Sequence, residues 1–324
     1  MKNSKITGTG MYVPDRILTN DDLTHMVVTS DEWIVERTGI RERRISTGET
    51  TSMMACKAAN KALESAGVDA DELDLIIVST ISPDYLIPSV ACMVQSEIKA
   101  KNAMCFDITA ACTGFIFSLN IAKQFINAGQ CRKALIIGSE ILSKITNYKD
   151  RNTCVLFGDG AGAAVVESTD DEGIISIFTR SDGSRFDSLI CENTPLNTPF
   201  YQDENQENDR KVKMNGKGVF KFVISVMPKC IKQVLKDSKY TIDDIKYIVP
   251  HQANARMMEN VAKRMDIDIN KFYMNIEKYG NTSSASIPIA LSEMDKDGLL
   301  KKGDLIILVG FGGGLTYGSM LIKW

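Results

Sequence analysis

LESAGVDADELDLII (residues 63–77) and LKDSKYTIDDIKYIV (residues 235–249) lie over one another without a gap, 172 positions apart. In each copy a helix end runs into an acidic turn and then an apolar strand. The same offset lays Leu135-Ile136-Ile137-Gly138 over Ile307-Leu308-Val309-Gly310. One offset shared by two separate strands predicts a duplicated α/β chain, with a first half over 1–167 and a second over 168–324.

Periodicity fills in both halves. Helices are expected over 52–66, 87–98 and 113–128 in the first, and over 218–236, 253–265 and 284–297 in the second. Apolar runs at 75–80, 104–108, 134–138, 247–250 and 304–309 read as buried strands. They run continuously rather than alternating, as expected where helices cover both faces of a sheet. Residues 192–210 are polar, interrupted by proline and unpatterned, which predicts a mobile surface loop of the length used for lids.

Composition limits the function. The chain has 324 residues, 44% hydrophobic and 24% charged, an ordinary globular balance. With 38 basic and 41 acidic residues the net charge is −3, so nothing draws the whole chain to nucleic acid or an anionic membrane. No stretch has the length and apolarity of a membrane span or a signal peptide. Eight cysteines form no C-x-x-C pair. That pattern predicts reduced thiols of a cytoplasmic protein and no metal site.

Within this frame Cys112 stands apart by position. It follows the strand at 104–108 and opens the next helix, between the small residues Ala110, Ala111, Thr113 and Gly114. A thiol at the first turn of a helix is expected to have a lowered pKa and nucleophilic character; the other reading is an inert core cysteine. His251 ends an apolar strand, where α/β folds gather their sites, although a structural histidine fits too. His25 lies in a charged stretch and reads as a surface residue. Asn281, in Tyr279-Gly280-Asn281-Thr282-Ser283-Ser284, reads as a turn or helix cap. The offset of 172 nonetheless carries it to position 109, beside Cys112. Gly310-Phe311-Gly312-Gly313-Gly314 allows close backbone approach and could offer an N–H to an oxyanion; no Gly-Lys-Ser/Thr of a phosphate loop follows. Gly158-Asp159-Gly160-Ala161-Gly162 reads as a turn or tightly packed strand. Lys217, Lys221, Arg256, Lys263 and Arg264 form a solvated face or a patch for an acidic partner.

Longer motifs add a resemblance that covers essentially the whole chain. They are Thr29-Ser30-Asp31-Glu32-Trp33-Ile34, Arg37-Thr38-Gly39-Ile40-Arg41-Glu42-Arg43, Ala110-Ala111-Cys112, Phe157 to Ala163, Pro250-His251-Gln252-Ala253-Asn254, Gly280-Asn281-Thr282-Ser283 and Phe311-Gly312-Gly313-Gly314. In order and content they resemble the β-ketoacyl-acyl-carrier-protein synthase III family, which initiates type II fatty acid synthesis. The resemblance implies the thiolase fold, two βαβαβαββ halves in a five-layered α-β-α-β-α sandwich, as a homodimer. It implies decarboxylative condensation of a short acyl-CoA with malonyl-acyl-carrier protein, with no metal or redox cofactor. It assigns catalysis to Cys112, His251 and Asn281, and the oxyanion hole to the N–H groups of Cys112 and Gly313. It sets coenzyme A against Trp33, Arg37 and Arg151, with Thr29, Gly216 and Phe220 nearby. Carrier-protein contact falls to Gln252, Ala253, Asn254, Ala255 and Arg256, helped by Lys221, Lys263 and Arg264. Leu86 and Ile87 are candidates for the acyl pocket.

Relatives separate by chemistry. A thiolase needs a second cysteine at its C-terminal glycines, where this chain has Phe311, and elongating synthases use two histidines. Two alternatives keep the resemblance but change the role: a paralogue condensing other acyl units in secondary-metabolite or biotin-precursor synthesis, and a non-catalytic carrier or CoA-binding homologue.

Overall fold

The structure, a computed structural model, describes residues 2–202 and 210–324. The first half runs β1 (Asn3–Tyr12), α1 (Asp31–Thr38), α2 (Thr51–Ala66), β2 (Leu75–Ser79), α3 (Val90–Ile98), β3 (Met104–Ile108), α4 (Gly114–Asn127), β4 (Lys133–Glu140) and β5 (Gly160–Thr169). The second runs β6 (Ile174–Ser181), α5 (Gly216–Lys236), β7 (Tyr247–Pro250), α6 (Ala255–Met265), α7 (Ser286–Lys296), β8 (Leu305–Gly312) and β9 (Thr316–Lys323).

The helices start and stop where side chains satisfy their ends. Thr50 caps α2, whose C-cap is left-handed Gly67. Asp107 of β3 accepts from the first two N–H groups of α3, at 2.7 and 2.8 Å, so this strand and helix are locked together. Both sheets are mixed. The first has the order β1-β5-β4-β2-β3, with β4, β2 and β3 mutually parallel. The second has the order β7-β8-β9-β6.

Five layers result. Helices α2 and α3 cover the outer face of the first sheet, around Met54, Ala58, Ile76 and Leu135. Helices α5 and α6 cover the outer face of the second, around Val223, Met258 and Ile307. Helices α4 and α7 lie between the sheets, and their buried Phe115, Leu119, Ile287 and Leu291 join both into one cluster. Each such large side chain, removed from water, contributes roughly 1.5–3 kcal/mol.

The duplication is visible in the fold. At the offset of 172, β2 falls on β7 and β4 on β8. The 3-10 turn Ala111–Thr113 falls on Ser283–Ala285, and α4 on α7. Two expectations change. Residues 104–108 were expected to be buried, yet β3 is an edge strand and Met104 is 47% exposed. In the second half the matching strand is reduced to one bridge, Ile248 with Phe272. Residues 192–202 carry a small hairpin, Asn197–Thr198 with Tyr201–Gln202; the rest of the loop expected there, 203–209, lies outside the described residues. Among the described residues no helix is long and apolar enough to cross a membrane.

Candidate active site

Cys112 reaches its place through a strained corner. After β3 the chain turns at Ala111, whose φ of 45° is left-handed without being glycine. Such a residue costs about 1–3 kcal/mol and persists only where its surroundings hold it. Here Thr113 holds it, with its hydroxyl 2.7 Å from Ala110 O and 2.5 Å from Thr316 Oγ1. The same corner recurs 172 residues on, at Ser283 with φ 50°. The end of β8 passes directly beneath the first corner: a Cβ on Gly312 would lie 2.7 Å from Cys112 N. Gly138 of β4 passes equally close to the second, its Cβ position 2.3 Å from Ser284 O.

His251 follows β7, with its N–H bonded to Val309 O at 2.8 Å. Its Nδ1 lies 2.7 Å from Ser286 Oγ in the first turn of α7. Its ring meets Phe311 of β8 edge-on, with centroids 5.3 Å apart. Burial lowers its pKa to about 3, so the imidazole is neutral. Asn281 is held from both sides, its N–H on Leu156 O and its C=O accepting from Gly158 N–H. Its Oδ1 accepts from Ser283 N–H at 2.9 Å. That contact fixes the amide orientation, because only the oxygen can accept.

Cys112 and His251 both meet the end of β8, and Asn281 is tied to the same region through Ser283. Gly312 touches Cys112, the neighbouring Phe311 touches His251, and the Ser283 hydroxyl lies within reach of the sulfur. All three side chains are buried. Cys112 departs from its expectation. Burial pushes its thiol up to about 12, against the pull of the Ser283 hydroxyl and its own N–H. The lowering expected from the helix end is overridden by loss of water. Cys131 and Cys230 rise to about 12 for the same reason. Cys112 is therefore distinguished by where it stands and not by acidity.

The nucleotide-binding candidates form a surface cluster. The guanidinium carbons of Arg37 and Arg151 each lie 4.7 Å from the centroid of the Trp33 ring. Arg151 also donates to Val28 O, next to Thr29. Gly216 is the exposed first residue of α5, and the adjoining strand Val212–Met214 contacts the short helix that begins at Arg151. Phe220, half-buried one turn further on, packs on the outer core of the second half.

The carrier-protein candidates divide. Arg256, Lys263 and Arg264 on α6 and Lys221 on α5 are exposed. Ala253, Asn254 and Ala255 are half-buried, and Asn254 bonds Arg37 O at 2.9 Å. Gln252 lies inside: its amide donates to Pro250 O and Tyr273 O and accepts from Asn275 N–H. It shapes the loop instead of presenting a surface. Leu86 and Ile87 stand in solvent on this chain, 73% and 87% exposed.

Sequence reasoning missed four supporting residues: Ser283, Ser286, Phe311 as a ring partner, and Arg43. The last is fully buried and bonds Leu18 O, Asn20 and Val155 O, bracing Gly158 and Gly280 beside Asn281. The offset of 172 held a signal for two of them, since it maps Ala111 onto Ser283 and Gly114 onto Ser286.

Comparison with known proteins matches residues 106–183 to "3-Oxoacyl-[acyl-carrier-protein (ACP)] synthase III" and residues 235–324 to its C-terminal region. A β-ketoacyl-[acyl-carrier-protein] synthase III of Clostridium novyi is 55% identical over all of both chains. That of Clostridium acetobutylicum is 54% identical over all of this chain and 99% of its own. The crystal structure of the Aquifex aeolicus synthase III superposes with a TM-score of 0.93 at 44% identity, covering 99% of this chain and 100% of that one.

Proposed function

This chain belongs to the 3-oxoacyl-acyl-carrier-protein synthase III family, and from that premise we propose how its residues carry out the initiating condensation of fatty acid synthesis. It is an acyltransferase-type condensing enzyme.

Catalysis is covalent and proceeds in two stages. The Cys112 sulfur attacks the carbonyl of a short acyl-CoA. The N–H groups of Cys112 and Gly313 hold the oxyanion. The C–S bond to coenzyme A breaks, coenzyme A leaves as the thiol with the proton that Cys112 gave up, and acyl-Cys112 remains. Malonyl-carrier protein enters next. Its carboxylate leaves as carbon dioxide and the bonding pair becomes an enolate. That carbon attacks acyl-Cys112, and the expelled sulfur takes up a proton from solvent, which restores the thiol. The products are 3-oxoacyl-carrier protein, coenzyme A and carbon dioxide. The reaction balances without a metal or redox group.

One observation carries the assignment of His251 and Asn281. Each has its other polar atom tied: Nδ1 of His251 to Ser286, Oδ1 of Asn281 to Ser283 N–H. When Ser286 gives its hydrogen to Nδ1, the neutral ring bears its proton on Nε2. Nε2–H and Nδ2–H are then two donors for one thioester oxygen, the place where enolate charge develops. The Gln252 N–H, 3.4 Å from Ser286 Oγ, supports that direction by occupying an acceptor site of the hydroxyl.

Coenzyme A lies along Trp33, Arg37 and Arg151, past Thr29, Gly216 and Phe220, and the carrier protein docks on Arg256, Lys221, Lys263 and Arg264. A homodimer fits the apolar edge of β3 and the neighbouring exposed Tyr85, Leu86 and Ile87, since open apolar edges are normally covered. A cytoplasmic setting supplies acyl-CoA and keeps the thiols reduced. Labelled acetyl-CoA tests the division of labour: His251→Ala and Asn281→Ala should still acylate Cys112 while losing malonyl decarboxylation. Loss of acylation in both would refute it.

A further inference from the structure

Glu140 is a fully buried carboxyl to which the mechanism above gives no task. It ends β4, at the position that corresponds to Gly312 beneath Cys112. Ser284 corresponds in turn to Cys112 itself. Among the described residues Glu140 has no ion-pair partner. Its contacts instead admit a count of hydrogens. Oε2 accepts from Ser82 Oγ at 2.6 Å, Ile81 N–H at 3.1 Å and Thr80 Oγ1 at 3.2 Å. The two hydroxyls are free to donate, because Ser82 Oγ accepts from Ile141 N–H and Thr80 Oγ1 from Ser82 N–H.

Oε1 meets Ser284 Oγ at 2.8 Å. Ser284 Oγ also lies 2.9 Å from the carbonyl oxygen of Ser79. Ser284 Oγ has a single hydrogen facing two acceptors, Oε1 and the Ser79 carbonyl. A hydrogen on the carboxyl lets both contacts be made, with Ser284 donating to the carbonyl and accepting from Oε1.

We infer that Glu140 is a positioning residue for the condensation: it stands as the neutral acid, and its Oε1–H holds Ser284 and with it the turn that carries Asn281 and Ser286. Ser284 lies in the middle of that turn. Asn281 is fixed by Ser283 N–H on one side, and Ser286 holds His251 on the other. The contact therefore latches the catalytic turn of one half onto a strand of the other. Burial favours the same protonation state, raising the Glu140 pKa against the pull of Ser82, Ser284, Ile81 N–H and Ser283. The titratable groups facing it are Cys112 and Lys144. A neutral Glu140 puts no negative charge beside the sulfur that must become anionic. The Ser283 hydroxyl lies near both groups.

The role rests on the assignment of His251 and Asn281; the protonation state does not. Glu140→Ala and Ser284→Ala should each slow malonyl-carrier decarboxylation by about tenfold or more, the loss of a buried hydrogen bond at about 1.4 kcal/mol per tenfold, while Cys112 acylation changes by less than about threefold. Glu140→Gln should recover most of what Glu140→Ala loses, since its NH2 replaces the acid hydrogen and its carbonyl replaces Oε2. Infrared difference spectra of wild type against Glu140→Gln at neutral pH should show the carbonyl stretch of a protonated carboxyl. That readout needs neither activity nor a folded alanine variant. A carboxylate signal in its place, or a Gln variant as impaired as the Ala variant, would overturn the neutral acid. Unchanged decarboxylation in folded Ala variants would overturn the positioning role.

Discussion

Gly312→Ala puts one methyl group against Cys112, the proposed nucleophile. Its carbon would stand 2.7 Å from Cys112 N, 3.0 Å from Cys112 Cβ and 3.2 Å from Cys112 Cα. None of these atoms belongs to a flexible side-chain end that could swing aside. The turn cannot retreat freely either, because Thr113 is bonded to Ala110 O and to Thr316 on β9. Overpacking of this kind costs about 1–3 kcal/mol of stability. The kinetic effect is larger and more selective. A methyl against Cys112 N displaces one of the two donors assigned to the oxyanion, and such donors are worth about 10²–10³ in rate. Acylation by labelled acetyl-CoA, followed in a rapid-quench burst, should fall by about 10². Malonyl-carrier decarboxylation, whose proposed groups are His251 and Asn281, should fall by less than about threefold. Denaturant unfolding separates the two effects. A folded variant that acylates within about threefold of wild type would refute the assignment of the Cys112 N–H to the oxyanion.

Other perturbations isolate other parts of the account. Ser286→Ala removes the group that sets the His251 tautomer and should cost decarboxylation about 10–100-fold, corresponding to about 1.4–2.7 kcal/mol, with acylation kinetics spared. Trp33→Ala should raise KM for acyl-CoA by about tenfold through lost ring contact, leaving KM for the malonyl carrier unchanged in steady-state assays. Arg256→Glu should do the reverse, with an effect that shrinks at high salt. His251 also predicts a pH dependence. Its pKa is about 3 in the folded chain against 6.5 for the free group, so below pH 6.5 the unfolded chain binds a proton that the folded chain does not. Stability is full above pH 6.5 and declines toward pH 3, by about 2 kcal/mol at pH 5. His251→Gln should abolish that share of the decline in paired denaturant titrations.

The sequence made the architecture legible for a physical reason. Strands covered on both faces must be apolar throughout, so 75–80, 134–138, 247–250 and 304–309 stand out, and their common offset exposes the duplication. The same rule misled at 104–108, because an edge strand that is apolar on both faces looks identical in sequence to a central one. The positions of Cys112 and His251 were legible because one opens a helix and the other closes a strand, and that of Asn281 because the offset of 172 carries it to the corner beside Cys112. Their environment was not. A turn at Ala111 with positive φ leaves no mark in an alanine, and the raised pKa of Cys112 depends on neighbours from β8 and the 283–285 turn. The burial of Gln252 is invisible in a motif that continues into the exposed Arg256. Glu140 looks like any acidic residue after an apolar run. Its meaning depends on which of several hydroxyls supplies each hydrogen, and those come from residues 79–82 and 284.

The central claim is that Cys112 itself becomes acylated. Intact-protein mass spectrometry after incubation with acetyl-CoA alone tests it most directly. The account predicts a single added acetyl group, mapped by peptide digestion to Cys112, absent from Cys112→Ser and discharged when malonyl-carrier protein is added. An unmodified wild-type chain that still forms 3-oxoacyl-carrier protein, or an acetyl group on another residue that turns over, would contradict it.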